Sequence, residues 1–339
     1  MAILITIIGF GVMVFLHELG HFITAKSFGV LVHEFSLGMG PKIFSFGKKE
    51  TKYSLRLLPL GGYVKLEGEI ETDNTSNRAF SNLHPFKRII VLISGAIMNI
   101  ILGILLFTII NFSIGIQPTV IQSIPAEFTE NNKYFSVGDE ITELNGTNVH
   151  TMDDVSLYMS RHHSDTIDIT IERNGQEKII KNFKLHKTDA GYKIGVNFTY
   201  PPKKASIFES MEYSVYDTVN VTKAVYFAVG DLITGKQDVD SLSGPVEIVG
   251  AVGQVTSQTQ GKTTVMLILY LFAIISVNLG IFNLLPFPAL DGGSIVFALY
   301  ELVTRKKVKS EVLGYASTIG FILLMLLALY VTVGDILAI

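Results

Sequence analysis

The sequence predicts a polytopic α-helical membrane protein of about four transmembrane helices, interrupted by a strand-rich loop and a small α+β module. Three observations carry that prediction. Of the 339 residues, 48% are hydrophobic and 17% charged, whereas soluble domains carry about a quarter charged residues. Mean hydropathy is +0.43. Long uncharged apolar runs recur along the chain, separated by polar sequence with turn signals.

The first span covers residues 1–26; it is uncharged as far as Leu16, where His17, Glu18 and His21 interrupt it. It lacks the basic start and small-residue cleavage site of a signal peptide, so it is expected to remain as a span. The others are expected at 89–112, 263–290 and 312–334. Basic residues crowd two connections: 27–88, with Lys42, Arg56, Lys65, Arg78, Lys87 and Arg88, and 291–311, with Arg305, Lys306, Lys307 and Lys309. Both connections should therefore be cytoplasmic, with both termini and the long region after Phe112 outside. A net charge of −3 gives no global basic field for nucleic acid. There is no cysteine, which excludes disulfides, thiolate sites and a cysteine nucleophile. Any metal must rest on His, Asp or Glu.

Within the first loop, Tyr53–Leu58 and Tyr63–Leu66 flank Pro59-Leu-Gly-Gly62, which reads as a cytoplasmic-side β-hairpin with Gly61 and Gly62 in its turn. The polar run Glu69–Arg78 is expected to be a mobile loop. Residues 117–200 read as a soluble α+β module. Asp168–Glu172 alternates as a strand, Asn174-Gly175 is a hairpin turn, and Met152–Arg161 is a short helix. In 205–262, Ile207, Met211, Val215 and Val219 recur every four positions. That helix either lies on the outer membrane surface or packs on the module, and a linker follows it.

The strongest chemical signal is His17-Glu18-Leu19-Gly20-His21. Residues i and i+4 share a helix face, so two imidazoles can reach one zinc ion while Glu18 stands beside it. A catalytic zinc keeps one position for water, and Glu18 can take that water's proton. Ionisable groups at the end of an apolar span are costly unless they serve a function. Asp291 is the candidate third ligand, in Asn283-Leu-Leu-Pro-Phe-Pro-Ala-Leu-Asp-Gly-Gly293. Pro286 and Pro288 should unwind the backbone there, and unwound chain at membrane depth needs protein or a wet cavity around it. The charge-derived topology puts Asp291 and His17/His21 near the same, cytoplasmic side. The other histidines (His33, His84, His150, His162, His163, His186) are expected outside any metal site.

These residues resemble the site-2 protease family of intramembrane zinc metalloproteases, in its bacterial, PDZ-containing branch. The likeness extends to Phe35–Pro41, Pro59–Val64, Gly138–Ile141 with Leu144-Asn-Gly146, Gly244-Pro-Val246 and Asn278–Gly293. The resemblance implies zinc on His17, His21 and Asp291, Glu18 as catalytic base, and Asn278, Asn283, Pro286 and Pro288 against substrate. Gly61 and Gly62 are expected there for a separate reason, that the hairpin around Pro59 offers an open edge to which substrate adds as a strand. It implies a multi-pass protein of the bacterial cytoplasmic membrane that cleaves single-span proteins or signal-peptide remnants, among them anti-sigma factors and pheromone precursors. The 117–200 module then resembles a PDZ domain outside the cytoplasm. Its Glu127–Ser136 run departs from the family's Ala-Gly-Leu, and peptide binder and size filter stay open as its role. A second departure is Ser94-Gly-Ala-Ile-Met-Asn99, where the family often has Ala-Gly-Pro before the Asn.

Competing readings are a membrane-surface metalloprotease acting on peptides, a membrane zinc transporter and an inactive scaffold. A transporter needs metal-binding groups distributed through several spans, whereas here they cluster at one depth. A scaffold has no use for both Glu18 and Asp291.

Overall fold

The computed structural model describes residues 1–47, 50–69, 76–188, 191–198, 201–238 and 244–337. Residues 70–75, the centre of the expected mobile loop, lie outside the described residues. The chain forms two compact units, residues 1–103 with 225–339, and residues 104–224.

Four helices are long and apolar enough to cross a membrane: α1 (Ala2–Ser27), α2 (Pro85–Ile114), α6 (Lys262–Asn283) and α8 (Ser310–Leu337). Their outward faces are apolar; α8 exposes Phe321, Leu323, Leu326 and Leu329 among others. So large a continuous apolar surface is stable only in lipid, and this is a membrane protein. Gly20 lets α1 approach α2, because a Cβ there would collide with the Ser94 carbonyl. Gly280 does the same for α6, where a Cβ would meet Ala96 O at 2.9 Å.

The third span is shorter than expected. α6 stops at Asn283, a turn carries residues 284–290, and residues 291–304, expected as loop, form helix α7 (Asp291–Thr304). Pro286 and Pro288 end α6 by withholding backbone donors. The apolar residues after Gly293 restart a helix, which ends at Arg305 in a left-handed cap. The expected linker also holds a helix, α5 (Pro245–Gln258). Asp335 of α8 caps it, accepting from the N–H groups of Gly244 (3.3 Å), Val246 and Glu247 (3.1 Å each).

The first loop folds as strands β1 (Val32–Phe46) and β2 (Lys52–Leu66). The chain does bend at Gly61, with φ +84°, but the two arms expected to pair with each other do not. Residues 34–37 of β1 lie between them, Phe35 facing both Val64 and Tyr53, and Leu37 both Gly62 and Leu55. Beyond, Phe44 and Phe46 pair with Leu55 and Tyr53. The segment order is therefore 62–66, 34–37, 53–58, 42–46, with 62–66 at one edge. Arg56 ties the curl together, donating to Ser36 Oγ (3.0 Å), Gly40 O (2.8 Å), Glu34 Oε1 (3.1 Å) and Tyr63 Oη (2.5 Å).

The second unit contains the α+β module, with a four-stranded sheet in the order β5 (Thr147–Asn148), β4 (Glu140–Leu144), β6 (Thr166–Arg173), β7 (Gln176–Lys184). Asn174 and Gly175, both at positive φ, join β6 to β7 as expected. Helix α3 (Met152–Arg161) starts on a Thr151–Asp154 capping box, and the sheet buries Ile141, Leu144, Ile169 and Ile171. Helix α4 (Ile207–Ile233) packs on the module and on the end of α2 with a face of small polar residues. Ser210, Ser214 and Thr218 are buried; Ser214 Oγ accepts from Thr108, Asp217 from Asn111, and Tyr216 stacks on His150. The stripe Ile207, Met211, Val215, Val219 points outward. Apolar outside and polar inside is the inverse of a soluble amphipathic helix, and it fits a lipid-facing surface.

Candidate metal centre

In α1, His17 and His21 stand one turn apart, with Nε2 atoms 3.1 Å from each other. Asp291, the first residue of α7, places Oδ2 3.2 Å from His17 Nε2 and 3.4 Å from His21 Nε2. Ligands held ~2.0–2.1 Å from a zinc at tetrahedral angles stand about 3.3 Å apart, so this donor set fits zinc without rearrangement. Asp291 Oδ2 is also buried and, among the described residues, accepts no hydrogen bond, an expensive state for a carboxylate unless a cation completes it. Among the described residues, these three form the group whose ligand atoms all lie within 4.8 Å of one another.

Local sequence explains each position. The turn before Asp291 is tight enough that a Cβ on Gly292 would strike the Leu284 and Leu285 carbonyls, and one on Gly293 the Phe287 carbonyl. Ala289, at φ +82°, holds a conformation that L-residues rarely adopt. Gly320 of α8 supports the turn from behind, pressed on the Pro288 carbonyl. On the other side, His21 Nδ1 donates to the Val91 carbonyl of α2 at 2.8 Å, which leaves its Nε2 lone pair for a metal. Gly95 of α2 provides the room for both rings, since a Cβ there would lie 2.8 Å from His17 Cε1 and closer still to His21.

The centre opens into a cavity of about 410 Å³ whose wall includes Val14, Glu18, Tyr63, Leu279 and Asn283. Glu18 lies beneath the edge segment 62–66: a Cβ on Gly62 would lie 3.1 Å from Glu18 Cγ and 2.9 Å from Ser36 O. Of the residues expected against substrate, Gly61, Gly62 and Asn283 line this cavity. Asn278, Pro286 and Pro288 are not in its wall; the two prolines shape the turn, and Asn278 Oδ1 is buried without a partner among the described residues. Sequence reasoning missed Val91, Gly95 and Glu69, which contribute to the site or its wall. A backbone carbonyl acceptor cannot be read from side-chain identity, and a glycine in an apolar span resembles any helix-packing site. His33 pairs with Glu67, and His186 with Asn131.

Outside the spans, Glu34 anchors the edge. Burial would raise its carboxyl, but the Arg56 guanidinium and the Lys42 ammonium 3.6 Å away hold it down at about 2.

Residues 5–327 match the model of peptidase family M50. Over 98% of this chain and 97% of its own, a Clostridium acetobutylicum protein with a provisional zinc-metalloprotease name is 38% identical. The zinc metalloprotease RasP of Geobacillus kaustophilus is 31% identical over 97% of this chain and 96% of its own. The regulator of sigma-W protease RasP of Bacillus subtilis is 29% identical over 97% of both.

Proposed function

We propose, for a chain that belongs to peptidase family M50 and is a membrane zinc metalloprotease, that His17, His21 and Asp291 hold the zinc and Glu18 moves the proton during cleavage of transmembrane segments. The observation that carries this reading is the meeting of three ligand atoms, from α1 and from the turn into α7, beside a carboxylate in a cavity among apolar helices.

Zinc bound there supplies Lewis acidity to the scissile carbonyl and to water. Glu18 accepts the water's proton as the hydroxyl attacks and delivers it to the leaving amine. A transmembrane helix conceals its peptide bonds in its own hydrogen bonds and must be unwound first. The edge 62–66 offers a strand template above Glu18, and Gly62 keeps side-chain atoms out of the gap. Asn283, on the opposite wall, is placed to pair with freed backbone groups.

The basic connections put the 27–88 and 291–311 segments in the cytoplasm, and both termini with the PDZ-like module outside. Single-span membrane proteins are the proposed substrates. The sigma-W name of the Bacillus relative favours regulatory ones such as anti-sigma factors. The test compares wild type with Glu18→Gln on a model single-span substrate, with zinc content assayed alongside. Cleavage by wild type but not by the zinc-loaded variant supports the reading; cleavage that survives the substitution removes Glu18 from its role.

A further inference from the structure

We propose that Asn99 is a positioning residue for the metal ligand His17, its side-chain oxygen accepting the proton of His17 Nδ1. The inference deepens the zinc-site reading above and rests on it. Asn99 is fully buried in α2, and its amide lies 3.4 Å from His17 Nδ1. Ser276 of α6 fixes the backbone there, donating to the Asn99 carbonyl at 2.8 Å. Val91, Gly95 and Asn99 follow at i, i+4 and i+8, so one face of α2 meets both imidazoles over three turns. Val91 serves His21, Gly95 makes room, and Asn99 is what this face offers His17.

The chemistry fixes which end of the amide faces inward. A neutral imidazole carries one proton. If His17 Nε2 gives its lone pair to a metal, the proton sits on Nδ1 and needs an acceptor, because His17 is 8% exposed. Were the Asn99 NH2 to face it, Nδ1 would have to accept. The proton would then occupy Nε2, the atom that faces His21 and Asp291. The two ends of an amide are isosteric, and with Asn99 Oδ1 turned away from His17 that oxygen is buried with no partner among the described residues. The oxygen-inward orientation alone leaves His17 able to ligate. Partners of this kind typically carry about 10–100-fold in metal affinity.

The experiment measures zinc affinity of the full chain in detergent by chelator competition, together with thermal melting of the metal-free protein. Asn99→Leu removes the acceptor at similar volume; Asn99→Asp keeps an oxygen and discards the donor. The expected result is that Asn99→Leu loses about 10–100-fold in zinc affinity while Asn99→Asp stays near wild type. Metal-free Asn99→Leu should melt no lower than wild type, because a buried amide with an unpaired end has gone. A purely structural role would instead lower metal-free melting in both variants. Wild-type zinc affinity in Asn99→Leu, or equal losses in both variants, overturns the proposal. Should wild type itself bind no zinc, the zinc-site reading fails first.

Discussion

Substituting Gly95 with alanine adds one methyl group at the point where α2 meets the two imidazoles. That methyl would lie 2.7 Å from His21 Cε1 and 2.8 Å from His17 Cε1, with His21 Nε2 nearer still. Reaching ordinary van der Waals contact with that nearest atom needs a shift of about 1 Å in a well-packed interior, and overpacking of this kind costs about 1–3 kcal/mol. The rings cannot swing freely, because His21 is tied to Val91 O at 2.8 Å and the rings already meet edge to face at 4.7 Å. Helix α1 must therefore move away from α2, carrying the imidazoles out of register with Asp291. Zinc ligation tolerates only about 0.2 Å, and a loss of about 1–3 kcal/mol corresponds to roughly 5–150-fold in affinity. The assay is zinc retained per chain after dialysis against graded chelator. Gly95→Ala should release zinc at a chelator activity lower by that factor while remaining folded in detergent. Retention equal to wild type would refute the reasoning, because it would mean the ligand cluster is not clamped by α2.

Gly62→Ala puts a Cβ 3.1 Å from Glu18 Cγ and 2.9 Å from Ser36 O. The edge segment must lift, and kcat/KM should fall by about 10–100-fold with zinc content unchanged. Glu34 sits at about 2, below its ordinary 4.5, so its stabilisation is fully present above 4.5 and is lost as pH falls towards 2. The difference is worth at most about 3 kcal/mol. Protection of the 62–66 amides, taken relative to the intrinsic exchange rate at each pH, should fall across that window in wild type and stay level in Glu34→Gln. In α4, burial and the neighbouring Asp153 and Asp154 push Asp217 up to about 7, against the hydrogen bond from Asn111. Stability from this group is greatest below 3.8 and declines as pH rises to 7, so Asp217→Asn should raise the melting temperature at pH 8 and change little at pH 4.

Helix periodicity and hydropathy made the spans and the His17/His21 pair legible, because both signals are local. Asp291 could also have been an ordinary helix cap; what singled it out was a charge-derived depth shared with His17 and His21, and the structure brings the three ligand atoms together. The curled sheet was misread for a physical reason. The bend at Gly61 is real, but alternation along a strand does not say which strand lies beside it, and the 34–37 segment slots between the arms. Helix α7 hid behind Asp291-Gly-Gly293, which signals a turn until its carbonyl contacts are seen. Helix α5 hid in a Val- and Gly-rich run of weak helix propensity, held by the distant Asp335. The apolar stripe of α4 left a membrane-surface face and a packing face on the module both open; in the structure it points outward while Ser210, Ser214 and Thr218 pack inward. Asn99 and Gly95 looked like ordinary interior residues of a span, and only the approach of α1 gives them a role.

The most direct test of the whole account is zinc K-edge absorption on the purified chain and on Asp291→Ala. The account predicts one zinc per wild-type chain with two imidazoles and one carboxylate at about 2.0–2.1 Å, and loss of the metal in the variant. Wild-type zinc without imidazole ligands, or unchanged zinc content in Asp291→Ala, would contradict it.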